Sequence, residues 1–152
     1  MVGRGVLLDV ARFRGVPWLV DGEAISNDEL DKCAKEANVE IRRGDFVILR
    51  TGQMERCLRQ KDWGAYAGGP APGVRFENCY WCHEKEIAAI CSDTWGVEVR
   101  PNETTEGMGE MFYVKELAED CDADGIYEFF FCGAPLVITG GTGSPINPQA
   151  IK

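Results

Sequence analysis

Apolar runs alternate along this chain with segments whose apolar residues recur at helical spacing. Short apolar runs bounded by glycine or charge predict buried strands at residues 5–10 and 46–50, and a third in "IAAICSD". The segment "SNDELDKCAKEAN" predicts a helix, with Ser26 as N-cap and Glu29 completing a capping box. Because strands and helices alternate, the pattern predicts an α/β architecture.

The remaining segments complete one predicted domain over residues 1–152. We predict a short, exposed helix in "QMERCLRQKDW", a helix at residues 75–86 and another in "FYVKELAEDCDAD". "VEVRP" predicts a short strand, and "IYEFFFCGAPLVIT" one or two buried strands. Glycine and proline interrupt "GAYAGGPAPG", which we interpret as a surface connection or a lid, and "GGTGSPINPQAIK", which we interpret as a loop and tail.

Composition narrows the classes of protein. The formal net charge is −9, which disfavours a nucleic-acid-binding protein, since such a protein normally has a basic face. No apolar run approaches the roughly 20 residues of a membrane span. The N-terminal stretch has no secretory cleavage site, so we expect a cytoplasmic protein. The seven cysteines are scattered and odd in number, which indicates thiols rather than a disulfide framework.

The stretch "CYWCH", residues 79–83, has the Cys-x-x-Cys-His spacing of covalent haem attachment. Haem attachment belongs to exported proteins, and the predicted helix continues past His83. Structural zinc needs four Cys or His ligands, usually as two pairs, and the chain has no second Cys-x-x-Cys. We therefore favour a packed helix, with Cys79 and Tyr80 facing inward beside Phe76.

Other chemical motifs are incomplete. "GGTGSP" lacks the Lys-Ser/Thr pair of a Walker phosphate loop, and His83, the single histidine, has no nucleophile elbow to serve. Two carboxylates are candidate site residues. Asp93, followed by Thr94, comes at the end of an apolar strand, where α/β proteins place polar site residues. Glu110 stands between small residues and an apolar run. By composition alone a structural role is favoured for each.

Six segments, taken in order, resemble the C-terminal part of the cyclase family of metal-dependent hydrolases, related to bacterial kynurenine formamidase and isatin hydrolase. They are "GRGVLLDVA", "GEAISNDEL", "GDFVILRTG", "PAPGVRFENCYWCHEKEIAAICSDTW", "GEMFYVKELAEDC" and "TGGTGSPINPQAIK". The resemblance runs from Gly3 to Lys152. It implies a swivelling β/β/α fold, a zinc or manganese ion and a homo-oligomer. It also implies arylformamidase-like hydrolysis of a small amide, formamide or cyclic amide, as in the kynurenine pathway.

The sequence departs from the family at two places. The family's metal-binding signature, His-x-Gly-Thr-His-x-Asp followed by another His, is absent, so we expect the N-terminal part of the domain to be missing. A Pro-Leu-His segment is also missing before Gly109-Glu110. The resemblance assigns Glu110 as a metal ligand and assigns no catalytic residue. It also implies that Asp93, Thr94, Arg50 and Thr142 belong to the substrate pocket.

A hydrolytic metal needs about three protein ligands and an open position for water. One glutamate cannot supply them, and we therefore predict an incomplete family member that has low activity or none by itself. The alternative is a non-catalytic remnant that keeps the fold and an oligomer interface.

Overall fold

A five-stranded sheet, ordered β5-β3-β1-β6-β7, forms the centre of the protein. The structure, a computed structural model, describes residues 2–102, 115–135 and 146–151. The strands are β1 (Val2–Asp9), β2 (Ala24–Ile25), β3 (Phe46–Arg50), β4 (Gly73–Val74), β5 (Ala89–Ser92), β6 (Glu128–Pro135) and β7 (Ile146–Ile151). The helices are α1 (Val10–Phe13), α2 (Asn27–Glu36), α3 (Gln53–Gln60), α4 (Asn78–Glu84) and α5 (Lys115–Asp124).

Strands β1, β3 and β5 run parallel, whereas β6 runs antiparallel to β1 and β7 antiparallel to β6. Successive residues of β1 point to opposite faces of the sheet. Val6 and Leu8 face a layer that includes Leu30 of α2, while Leu7 faces a layer that includes Cys121 of α5. Both faces of the central strands are therefore buried, and the α/β prediction is confirmed.

Helix α2 begins as the sequence predicts. The Ser26 hydroxyl accepts a hydrogen bond from the backbone N–H of Glu29 at 3.3 Å. In a capping box the Glu29 carboxylate would accept a hydrogen bond from the backbone N–H of Ser26. Here it accepts hydrogen bonds from Arg14 instead, at 2.5 and 2.8 Å. The helix start is thus fastened to the turn that follows α1.

Two local predictions are wrong. Tyr80 points outward and is 69% exposed, while the neighbouring Trp81 is 3% exposed and fills the inward position. The indole of Trp81 also donates to Asp31 of α2. The predicted C-terminal tail contains β7, in which Pro148 pairs with Gly133. Proline is tolerated there because β7 lies at the edge of the sheet.

All seven cysteines lie in the described residues, and none forms a disulfide, as the sequence predicted. Cys91 is buried between the sheet and α5, whereas Cys132 is only half-buried. Within residues 2–102, 115–135 and 146–151, no helix is long and apolar enough to cross a membrane.

Candidate functional site

The three parallel strands end in polar residues that come together at one edge of the sheet. Asp9 ends β1, Arg50 ends β3, and Asp93 directly follows β5. The Arg50 guanidinium donates to Asp9 at 2.9 Å and to Glu55 of α3 at 2.5 Å. All of these side chains are buried. The carboxyl ends of parallel strands are where α/β proteins place their ligands, so this edge is the first candidate site.

Arg50 is held firmly by its two carboxylates. Burial acts to raise the pKa of Glu55, but the hydrogen bond and charge of Arg50, helped by Arg59, lower it below its ordinary value. The backbone oxygen of Pro17 accepts a third, longer hydrogen bond from Arg50 at 3.4 Å. Arg50 thus ties β1 and β3 to helix α3 and to the segment after α1.

Asp93 joins the ends of β3 and β5. One carboxylate oxygen accepts from the backbone N–H and the hydroxyl of Thr51, both at 2.7 Å, and the other accepts from the N–H of Gly52 at 2.8 Å. Burial raises the pKa of Asp93, while these hydrogen bonds and the charge of Arg50 act in the opposite direction. The carboxylate therefore holds the turn between β3 and α3.

The other predicted site residues are placed less fully. Thr94 is wholly buried, and its hydroxyl bonds to the backbone oxygen of Gly96 and to Ser92. Glu110 and Thr142 lie outside the described residues. The structure thus brings Arg50, Asp93 and Thr94 to one edge, where each hydrogen-bonds within the protein. Their role toward a substrate stays a prediction.

A cavity of about 440 Å³ opens beside this edge. Three aromatic residues line it: Trp18 from the segment after α1, and Trp63 and Tyr66 from the loop after α3. The rings of Trp63 and Tyr66 meet edge to face, with centroids 5.2 Å apart. The Tyr66 hydroxyl donates to the backbone oxygen of Asp93 at 3.1 Å, which connects the cavity to the strand ends.

The polar part of the same cavity is built around Gln53, the first residue of α3. Its amide nitrogen donates to Asp21 at 3.0 Å and to the backbone oxygen of Pro70 at 3.2 Å. Those two acceptors fix the orientation of the amide group. Arg56 completes this wall with hydrogen bonds of 2.9 and 3.0 Å to Asp21. This cavity was not predicted from the sequence, although the aromatic residues within the glycine-rich "KDWGAYAGG" segment were a usable signal.

The residues that could hold a metal ion do not form a cage in the described part of the chain. Within residues 2–102, 115–135 and 146–151, no group of three His, Cys, Asp or Glu side chains is arranged to ligate a metal. His83 lies on α4, which packs against α2 through Trp81 rather than at the strand ends. These residues therefore do not fit a zinc or manganese site.

Comparison with known proteins gives a consistent set of relatives. The sequence matches the family model named Cyclase over residues 1–99. A crystal structure of a novel cyclase superposes with a TM-score of 0.82 at 32% identity, and the match covers 100% of this chain and 54% of that one. A search of curated proteins gave no match.

Two further structures share the fold at lower identity. An isatin hydrolase bound to the product analogue thioisatinate gives a TM-score of 0.62 at 20% identity, over 98% of this chain and 59% of that one. A potential metal-dependent hydrolase with cyclase activity gives 0.56 at 18% identity, over 98% and 64%. The present chain thus spans between about half and two thirds of the length of these proteins.

Proposed function

Because the chain belongs to the cyclase family, we propose that it contributes to a hydrolase that cleaves the C–N bond of a small amide, formamide or cyclic amide. The observation that carries this proposal is the aromatic cavity beside the ends of the parallel strands. Its volume of about 440 Å³ lies within the range of small-molecule sites. Trp18, Trp63 and Tyr66 would receive a planar ring.

In this proposal the buried polar residues position the site. Arg50 and Asp93 keep the ends of β1, β3 and β5 in a fixed arrangement, and Tyr66 attaches the aromatic loop to β5 through the backbone of Asp93. A site held on rigid strand ends loses little conformational entropy when a ligand binds. Thr94 and Thr142 are proposed to shape the pocket beside these residues.

The cofactor we propose for the complete site is zinc or manganese, which in a hydrolase supplies an activated water. Glu110 is the one ligand proposed from this chain. Since the described residues do not fit a metal, we propose that the remaining ligands come from polypeptide outside this sequence. The chain by itself is then expected to have low activity or none.

An activity assay tests this proposal. The purified chain is incubated with isatin or with N-formylkynurenine, with Zn²⁺ or Mn²⁺ added in excess, and elemental analysis measures the metal retained after gel filtration. We expect no metal-dependent turnover and less than one retained ion per chain. Turnover by this chain alone would show that the proposed incompleteness is wrong.

A second candidate function, a non-catalytic oligomerisation module, is favoured by one surface. Phe130 pairs with Ile151 across β6 and β7 and with Arg4 of β1, so Val2, two residues before Arg4, shares their face. Val2, Phe130 and Ile151 are 62%, 49% and 55% exposed. An apolar surface of this kind suits a homo-oligomer interface. Light scattering of the wild type and of Phe130→Asp tests it, because only a real interface would make the mass fall.

A further inference from the structure

We propose that Arg100, stacked on Trp95, binds the carboxylate of a small organic anion. The site is a second cavity, of about 640 Å³, between residues 68–70 and residues 100–102. It adjoins the aromatic cavity, since Pro70 lines both. Neither the family relation nor the residues predicted from the sequence assign a role to Arg100.

Arg100 is held in place from two sides. Its backbone N–H donates to Ala71 at 2.8 Å, and its backbone oxygen accepts from Ala71 at 3.1 Å. The guanidinium carbon lies 4.7 Å from the centre of the Trp95 ring. Trp95 is itself fixed, because its indole N–H donates to the backbone oxygen of Gly69 at 2.9 Å. An arginine whose conformation is set before binding loses less entropy when it captures a ligand.

The hydrogen-bond donors of Arg100 are not used by the described part of the protein. The nearest carboxylate oxygen, on Glu98, is 3.6 Å from a terminal nitrogen of Arg100, which is too long for a hydrogen bond. The inner nitrogen, Nε, is buried and has no partner among the described residues. Other buried or partly buried arginines each donate to a carboxylate: Arg4, Arg14, Arg50 and Arg56.

The geometry suits a carboxylate better than a neutral group. A guanidinium offers two parallel N–H donors that match the two oxygens of a carboxylate. Trp95 covers one face of the guanidinium, so the edge is left for the ligand. The Arg100 side chain is 26% exposed, which leaves a ligand access to it. The cavity lining includes Gly68 and Gly69, which have no side chains to fill the space.

Because the chain is acidic overall, anion binding in this cavity would depend on the positive charge of Arg100. The chain has a net charge of −9, which repels anions in general. Burial raises the pKa of Glu98, while the charge of Arg100 and the hydrogen bond from Asn102 act in the opposite direction. The charged form of this nearest carboxylate is therefore disfavoured by loss of solvent. A ligand carboxylate that reached hydrogen-bonding distance would be bound more strongly than Glu98 at 3.6 Å.

Hydrolysis of an amide produces a carboxylate, so Arg100 would hold the acid product or a carboxylate of the substrate. That assignment rests on the proposed function. Carboxylate binding itself does not, because it needs no metal and no turnover.

The test is a binding titration with benzoate and with benzamide, which has nearly the same shape but no charge. Binding to the wild-type chain is measured by calorimetry and by tryptophan fluorescence. We expect benzoate to bind about tenfold or more tightly than benzamide, as the loss of a charged hydrogen-bonded pair predicts. Equal binding of the two, or no binding of benzoate, would overturn the proposal without any variant.

Two variants assign the effect to Arg100. Arg100→Gln should weaken benzoate binding about tenfold and leave benzamide unchanged. Arg43→Gln makes the same change in net charge at an exposed position and should leave both ligands unchanged. If Arg100→Gln does not fold, as judged by circular dichroism, Arg100→Lys retains the charge and should lose part of the preference. Benzoate binding that is unaltered in a folded Arg100 variant would contradict the proposal.

Discussion

Asp93 accepts hydrogen bonds from both the backbone N–H and the hydroxyl of Thr51, each at 2.7 Å, and so fastens the end of β3 to the end of β5. A third hydrogen bond, from the N–H of Gly52, takes its other oxygen. Asp93, which was predicted for the substrate pocket, thus also stabilises the fold, and substituting it measures that contribution.

Replacement of Asp93 by Asn should destabilise the fold by about 2–3 kcal/mol, since hydrogen bonds to a charged group are lost and one amide N–H₂ faces a donor. Urea unfolding followed by circular dichroism measures the change. Asp62→Asn is the matched control, because Asp62 accepts a single exposed hydrogen bond from Gly64. Equal stabilities for the two variants would contradict the role given to Asp93.

Replacement of Arg50 by Met should cost about 3–5 kcal/mol at pH 7, because Asp9 and Glu55 would be left buried without their shared cation. In the wild type the pKa of Glu55 is lowered from 4.5, so its contribution to stability is present above pH 4.5 and is lost as the pH falls further.

In Arg50→Met, burial of Glu55 is opposed only by Arg59, so the difference from wild type should be largest at neutral pH and shrink below pH 4.5. Unfolding free energies measured from pH 7 to pH 3.5 test this sign. Arg59→Met removes the more exposed partner and should show a much smaller effect. A difference in unfolding free energy that grows toward low pH would contradict the proposed stabilisation by Asp9, Arg50 and Glu55.

Replacement of Gly52 by Ala should destabilise more than replacement of Gly44 by Ala. Both glycines have φ of +81°, so both substitutions carry a similar backbone strain, about 1–2 kcal/mol. Only at Gly52 would the added Cβ come within 2.6 Å of the Pro17 oxygen; at Gly44 it would meet nothing within 4 Å. Urea unfolding of the two variants isolates the cost of this contact, and equal losses would refute it.

Cysteine reactivity should follow burial. Burial raises the pKa of Cys33 to about 12 and that of Cys82 to about 11, so few thiolates form there at pH 8. Cys33 should resist iodoacetamide until urea unfolds the chain, whereas the half-buried Cys132 should react in the native state. Peptide mapping by mass spectrometry gives the order. Alkylation of Cys33 as fast as Cys132 in the native protein would count against this packing.

The central strands and helix α2 could be predicted from the sequence because local apolar patterns indicate which of their residues are buried. The sequence predicted β7 as a tail, since pairing with β6 is decided by a partner strand and not by the proline-containing segment itself. Tyr80 and Trp81 were assigned the wrong sides because a short helix allows either, and only the contact of Trp81 with Asp31 decides. Arg50 and Asp93 lie at the ends of the parallel strands, and their role toward a substrate stays a prediction. The cavity beside them was not predicted, because helix α3 and two separate loops form it together.

The position of β1 between β3 and β6 has a consequence for folding. Arg4 hydrogen-bonds to Glu128, a residue 124 positions away, at 3.1 Å. The central strand therefore cannot be paired on both sides until β6 has been synthesised and has left the ribosome. Contacts of such long sequence separation slow folding and leave a strand edge open to other chains meanwhile. Refolding yield at high protein concentration, rather than equilibrium stability, is then the property that β6 substitutions should affect first.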